Sequence, residues 1–73
     1  MRLKINLDTR TAAMRFVQVA NSIPDDDIYL TDGTGKFRVH AKSMLGVLYS
    51  MEFSDLWVEA PADHYFAFSE FSI

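Results

Sequence analysis

Twice within 73 residues the chain passes from period-two alternation to helical spacing and back, and this interleaving restricts the fold more than any single motif. Leu3, Ile5 and Leu7 alternate with Arg2, Lys4 and Asn6, which predicts a strand buried on one face. Asp8 or Thr9 can cap the helix that follows, since either side chain offers an oxygen to the first free backbone N–H groups. Ala13, Phe16, Val17, Ala20 and Ile23 then recur at steps of three and four, with Arg15, Gln18 and Ser22 on the other side. Pro24 ends this helix, because the residue before a proline is driven out of the helical region.

The second half repeats the alternation in a different order. Ile28-Tyr29-Leu30-Thr31 reads as a second strand, and Phe37, Val39 and Ala41 alternate with Arg38 and His40 as a third. Asp32-Gly33-Thr34-Gly35 between them is a turn, so the two strands form a hairpin. These glycines do not make a phosphate loop, since no Lys-Ser/Thr pair follows at the required offset. Ser43 caps a second helix whose apolar set is Met44, Leu45, Val47, Leu48 and Met51. Leu56, Val58 and Ala60 alternate with Trp57 and Glu59 as a fourth strand, which Pro61 breaks. Residues 62–71 read as a short aromatic-rich last helix carrying Tyr65, Phe66, Phe68 and Phe71.

The order β-α-β-β-α-β-α implies a single α+β domain over residues 1–73. It is an open-faced sandwich: helices cover one face of a four-stranded, mostly antiparallel sheet. A ferredoxin-like arrangement shares the first six elements, and periodicity does not separate the two. The expected core comprises Leu3, Ile5, Leu7, Phe16, Val17, Ala20, Ile28, Leu30, Val39, Val58 and Phe66. The other sheet face is expected to carry Lys4, Asn6, Tyr29, Thr31, Arg38, His40, Trp57 and Glu59, with nothing to cover it.

Composition excludes several function classes. Without cysteine there is no disulfide, thiolate metal site or thiol nucleophile. No apolar run approaches the ~20 residues that span a bilayer. The first seven residues alternate and so lack the apolar block of a leader, and a cytoplasmic protein is expected. Net charge is −3, which disfavours nucleic acid as a partner. The charge is divided unevenly. Residues 1–42 hold all seven basic residues and five acids, net +2, whereas residues 43–73 hold five acids and no Lys or Arg, net −5. Such a division can steer an acidic partner to one end. Asp25-Asp26-Asp27 reads as a solvated connection, because adjacent carboxylates diverge and calcium-loop spacing is missing. His40 and His64 read as exposed polar residues, too far apart in sequence to suggest zinc.

The stretch Val39 to Leu48 has a specific look: a short strand, then Lys42-Ser43, two apolar residues and Gly46. It resembles the regulatory-serine region of HPr, the histidine phosphocarrier of the bacterial sugar phosphotransferase system. Phe16-Val17-Gln18-Val19-Ala20 is similar to the middle of the first HPr helix, and the element order matches along almost the whole chain. The resemblance implies an HPr-like fold and makes Ser43 a candidate for regulatory phosphorylation. It also implies a partner surface on the second helix through Met44, Leu45 and Leu48.

The family's carrier histidine is missing. HPr holds it at the start of helix one, followed closely by arginine and proline, where free N–H groups favour an anion. Here residues 8–15 read Asp-Thr-Arg-Thr-Ala-Ala-Met-Arg. An ungapped match through Phe16 puts Thr9 at the histidine position; one inserted residue matches Arg10 to the arginine and Asp8 to the histidine. Neither register supplies an imidazole, and a phosphothreonine is a poor phosphoryl donor. Thr9 and Arg10 remain candidates for binding an anion.

The expectation is an HPr-like protein that is not an active phosphocarrier and works through protein contacts or regulation. It is not expected to be an enzyme: no nucleophile–base pair assembles at sensible spacing, and no catalytic residue, cofactor or metal is assigned. One alternative is an active phosphocarrier with another acceptor. A second is a structural or homodimeric module using the open sheet face, where Trp57 and Tyr29 suit a protein interface.

Overall fold

A computed structural model describes all of residues 1–73. Its elements are β1 (Arg2–Ile5), α1 (Arg10–Asn21), β2 (Tyr29–Thr31), β3 (Arg38–His40), α2 (Met44–Ser50), β4 (Leu56–Glu59) and α3 (Tyr65–Phe68), with a 3₁₀ turn over Ser69–Phe71. The protein is α+β, with a fully antiparallel sheet in the order β1-β4-β2-β3. No helix is long and apolar enough to cross a membrane.

Register follows the hydrophobic pattern. Leu3 faces Val58, Ile5 faces Leu56, and Leu30 lies between Val58 and Val39, so one face is apolar across all four strands. α1 lays Ala13, Phe16, Val17 and Ala20 onto that face. Thr9 begins the helix, its hydroxyl accepting from Ala12 N at 3.0 Å, so Thr9 rather than Asp8 is the cap. α1 ends at Asn21, three residues before Pro24, and the Asn21 side chain ties its last turn to the Lys42 carbonyl.

Two glycines are required by close approach. Gly33 has φ +79°, and a Cβ there would lie 2.6 Å from Trp57 Nε1. A Cβ on Gly46 would lie 2.9 Å from Val39 Cβ, so this glycine lets α2 settle against β3. The hairpin turn is held by Asp32, which is buried and accepts from Lys36 N at 3.0 Å and Thr34 Oγ1 at 2.9 Å. Burial alone would raise the Asp32 pKa, but the Thr34 hydroxyl and the turn's N–H groups outweigh it and hold the carboxylate below its ordinary range.

Most of the expected core is buried, and the differences have local causes. Phe66 is 95% exposed and does not join the core; Phe68 and Phe71 do, at 0% and 6%. The last helix spans only Tyr65–Phe68 before tightening into the 3₁₀ turn, so the inward positions are three apart and leave Phe66 outside. Residues 62–64 lie outside the helix. Leu3 and Val39 sit on the edge strands and are only half-buried, though both pack on the core. Thr31 does belong to the open face, yet it is 3% exposed because Arg38 and Trp57 stand beside it on the neighbouring strands.

Candidate functional site

Three places gather chemistry: the paired N-terminal regions of α1 and α2, the open sheet face, and the junction of the α1–β2 connection with α3.

At the first, α1 and α2 pack side by side, and Arg10, Met14, Met44 and Leu48 line one shallow cavity between them. Met14 is 50% exposed, Met44 36% and Leu45 82%, while Leu48 is half-buried against the core. Clustered exposed apolar side chains of this kind mark contact surfaces more often than isolated ones do. Met14 was missed by sequence reasoning, which used α1's periodicity only to find its buried stripe.

Ser43 stands exposed at the head of α2. Its Oγ accepts from Gly46 N at 3.2 Å, with the extended backbone of a helix cap. Arg10 and Thr9 lie apart in their surroundings. Arg10 lines the apolar cavity, whereas Thr9 opens onto a cleft with Asn6, Asp8, Arg15 and Glu70. In that cleft Arg15 is paired with Glu70 at 3.3 Å, leaving Arg10 without a carboxylate partner. Neither histidine lines either cavity: His40 is on β3 and His64 immediately precedes α3.

The open face is less bare than its sequence suggests. Arg2 lies over the Trp57 ring, its guanidinium 4.1 Å from the centroid, and its Nε donates to Glu59 at 3.0 Å. Trp57 Nε1 donates to Asp55 at 2.9 Å, and Lys4 lies 3.8 Å from the same carboxylate. Trp57 is therefore half-buried by its own neighbours. On the other side Arg38 covers Tyr29 at 3.9 Å, and His40 packs on the same ring at 4.8 Å. Beyond β3 a stacked pair, Phe37 and Phe53 at 4.4 Å, joins Tyr49. This aromatic group went unread because its members come from the residue before β3, from α2 and from the loop after α2.

His64 differs from its expected exposed state. Its side chain is 18% exposed, with Nε2 3.1 Å from Asp25 Oδ2. Asp25 also accepts from Asp27 N at 3.0 Å. That backbone bond first, and then the hydrogen bond with His64, holds the Asp25 carboxyl below its ordinary range. The acidic triplet is consequently not uniformly solvated. Asp25 staples the α1–β2 connection to the start of α3, and Asp26 pairs with Lys42 at 3.2 Å. No three His, Asp or Glu side chains converge as a metal site would require.

No protein-family model, curated protein or solved structure matches this chain.

Proposed function

We propose that this chain is an HPr-like domain without the usual phosphorylation centre, acting in the cytoplasm as a protein-interaction or regulatory module. The observation that carries the reading is the cavity between α1 and α2, where exposed Met14 and Met44 and half-buried Leu48 stand with Arg10, and exposed Leu45 follows Met44 on α2. The β-α-β-β-α-β-α order and the serine cap at Ser43 support it. A protein partner would bury the methionines and Leu45, with Arg10 supplying a charge at the rim. Methionine suits such a surface because its unbranched side chain re-packs readily.

Ser43 is the proposed regulatory position. A phosphate there would add roughly −1.5 to −2 charge beside an apolar contact surface and so disfavour a partner that buries it. Turnover is not part of this function, and no cofactor is assigned. Residues 8–15 provide hydroxyl, carboxylate, thioether and guanidinium groups, none of which relays phosphate as a neutral imidazole nitrogen does.

Two measurements test the reading. Incubation with phosphoenolpyruvate and the general phosphotransferase enzyme is expected to leave the protein's mass unchanged. An acid-labile phosphate lost on His40→Ala or His64→Ala would establish the carrier role instead. Affinity capture with wild type is expected to recover phosphotransferase-system or kinase proteins that Leu45→Asp and Ser43→Asp lose. Leu45 touches little within the fold, so retention of every such protein by Leu45→Asp would remove the α2 surface from the function.

A further inference from the structure

Two edges bound the sheet, and the chain treats them in opposite ways. Along an antiparallel strand the hydrogen bonds alternate, so every second residue of an edge strand turns its N–H and C=O outward. On β1 the bond from Ala60 N to Met1 O sets the phase and turns Arg2 and Lys4 outward, with Asn6 continuing the series. All three are engaged. Arg2 N donates to the Tyr65 hydroxyl at 3.4 Å, Lys4 O accepts from Ile73 N at 3.3 Å, and Asn6 N donates to Phe71 O at 2.9 Å. The C-terminal segment thus closes this edge.

On β3 the bond from Ala41 N to Ile28 O sets the phase, which turns Arg38 and His40 outward. The His40 carbonyl accepts from Ser43 N at 3.0 Å. No bond from the rest of the chain reaches the Arg38 N–H, the Arg38 C=O or the His40 N–H. The side chains of this open edge are of one kind. Arg38 and His40 lie on β3, Lys36 precedes it in the hairpin turn and Lys42 follows it, and no acid lies between residues 36 and 42. Arg38 and His40 are exposed, and Arg38 is steadied over Tyr29 at 3.9 Å. Lys42 is held by Asp26, whereas Lys36 and Arg38 have no carboxylate partner.

We infer that the β3 edge docks an extended acidic segment of a partner protein, which adds as a fifth strand beside Arg38–His40. The three open backbone groups supply the main-chain bonds, and alternate carboxylates of the segment meet Lys36 and Arg38. The same charges exclude a second copy of this chain at this edge, because two β3 strands side by side would bring like cations together. A short, charged edge resists indiscriminate pairing, so the acidic character of the incoming strand is what selects it. This surface is separate from the α1–α2 patch and stands whether or not that patch binds a partner.

The test is a titration of the ¹⁵N-labelled protein with a short blocked peptide alternating valine and glutamate, followed by NMR. The Arg38 and His40 amides are expected to shift and to exchange their hydrogens more slowly. Arg38→Glu and, independently, Lys36→Glu should each weaken binding about tenfold, the difference between a modest attraction and a similar repulsion. Both positions are exposed, and an unchanged melting temperature checks that each variant is folded. Added salt should weaken binding further. The proposal is overturned if the Arg38 and His40 amides stay unmoved at millimolar peptide. It is equally overturned if the shifts map to α2 or Trp57, or if a backbone N-methylated peptide binds as well.

Discussion

α1 and the C-terminal segment deliver phenylalanines to the same place by different means. Phe16 from α1 packs against Phe68 at 5.2 Å and Phe71 at 5.4 Å, and all three are buried. α1 has twelve residues, a threonine cap and a regular apolar stripe. α3 has four residues, no side-chain cap, and a 3₁₀ turn in place of further helix. A single helical turn is far below the length at which a helix sustains itself, because nucleation costs more than one turn of hydrogen bonds returns. The C-terminal conformation is therefore set by what it docks against: Phe16, the β1 edge, and Asp25 through His64. A local code can be read from one end of a chain, whereas a docked segment is defined by surfaces that only the fold creates.

The largest expected effects test whether the two regions share one core. Phe16→Ala and Phe68→Ala should each cost about 3–5 kcal/mol, comparable with the whole stability of a small domain. Denaturant titration of both variants checks this. A cost for Phe68→Ala of only about 1 kcal/mol, against a full cost for Phe16→Ala, would make the C-terminal segment a loosely held flap.

Capping sharpens the contrast next. Thr9→Ala should lower stability by about 1 kcal/mol, since the Ala12 N–H loses its partner. His64 makes no capping bond at α3, so its contribution lies in the contact with Asp25. Asp25 has an acid signature, set first by the Asp27 N–H and then by His64. Asp25 titrates lower in the folded chain than its ordinary value of 3.8, so the unfolded chain binds the proton more readily. Its stabilising effect is complete above that value and is lost as pH falls through the lower, folded one. Melting curves recorded from about pH 6 down to about pH 2 should therefore fall less steeply for Asp25→Asn than for wild type. Superimposable profiles would remove Asp25 from the docking of α3.

The smallest effect is expected at Phe66. Its ring is almost wholly solvent-exposed, so Phe66→Ser should change stability by less than about 0.5 kcal/mol. A loss comparable with that of Phe68→Ala, measured in the same titration, would place Phe66 in the core and restore a longer last helix.

Sequence alone determined the elements whose signals are local. Alternation in β1 and β4, the apolar stripe of α1, the Asp32–Gly35 turn and the serine cap of α2 are each written within one short window, and each forms within it, although β1 stops at Ile5 short of Leu7 and α1 at Asn21 short of Ile23. The same reading found the Ser43 cap, because a cap is also a local feature, whereas the exposure of Leu45 within the apolar set of α2 emerged only in the structure. Tertiary structure alone decided the rest. It ordered the strands β1-β4-β2-β3, placed Met14 and Arg10 of α1 in one cavity with Met44 and Leu48 of α2, and buried Thr31 between cross-strand neighbours. It also brought Asp25 to His64 across 39 positions and closed one sheet edge with the chain's own end while leaving the other open. The physical reason is the same in each case. These outcomes depend on which residues become neighbours when the hydrophobic faces pack together, and periodicity within a segment says which face will be buried but not against what.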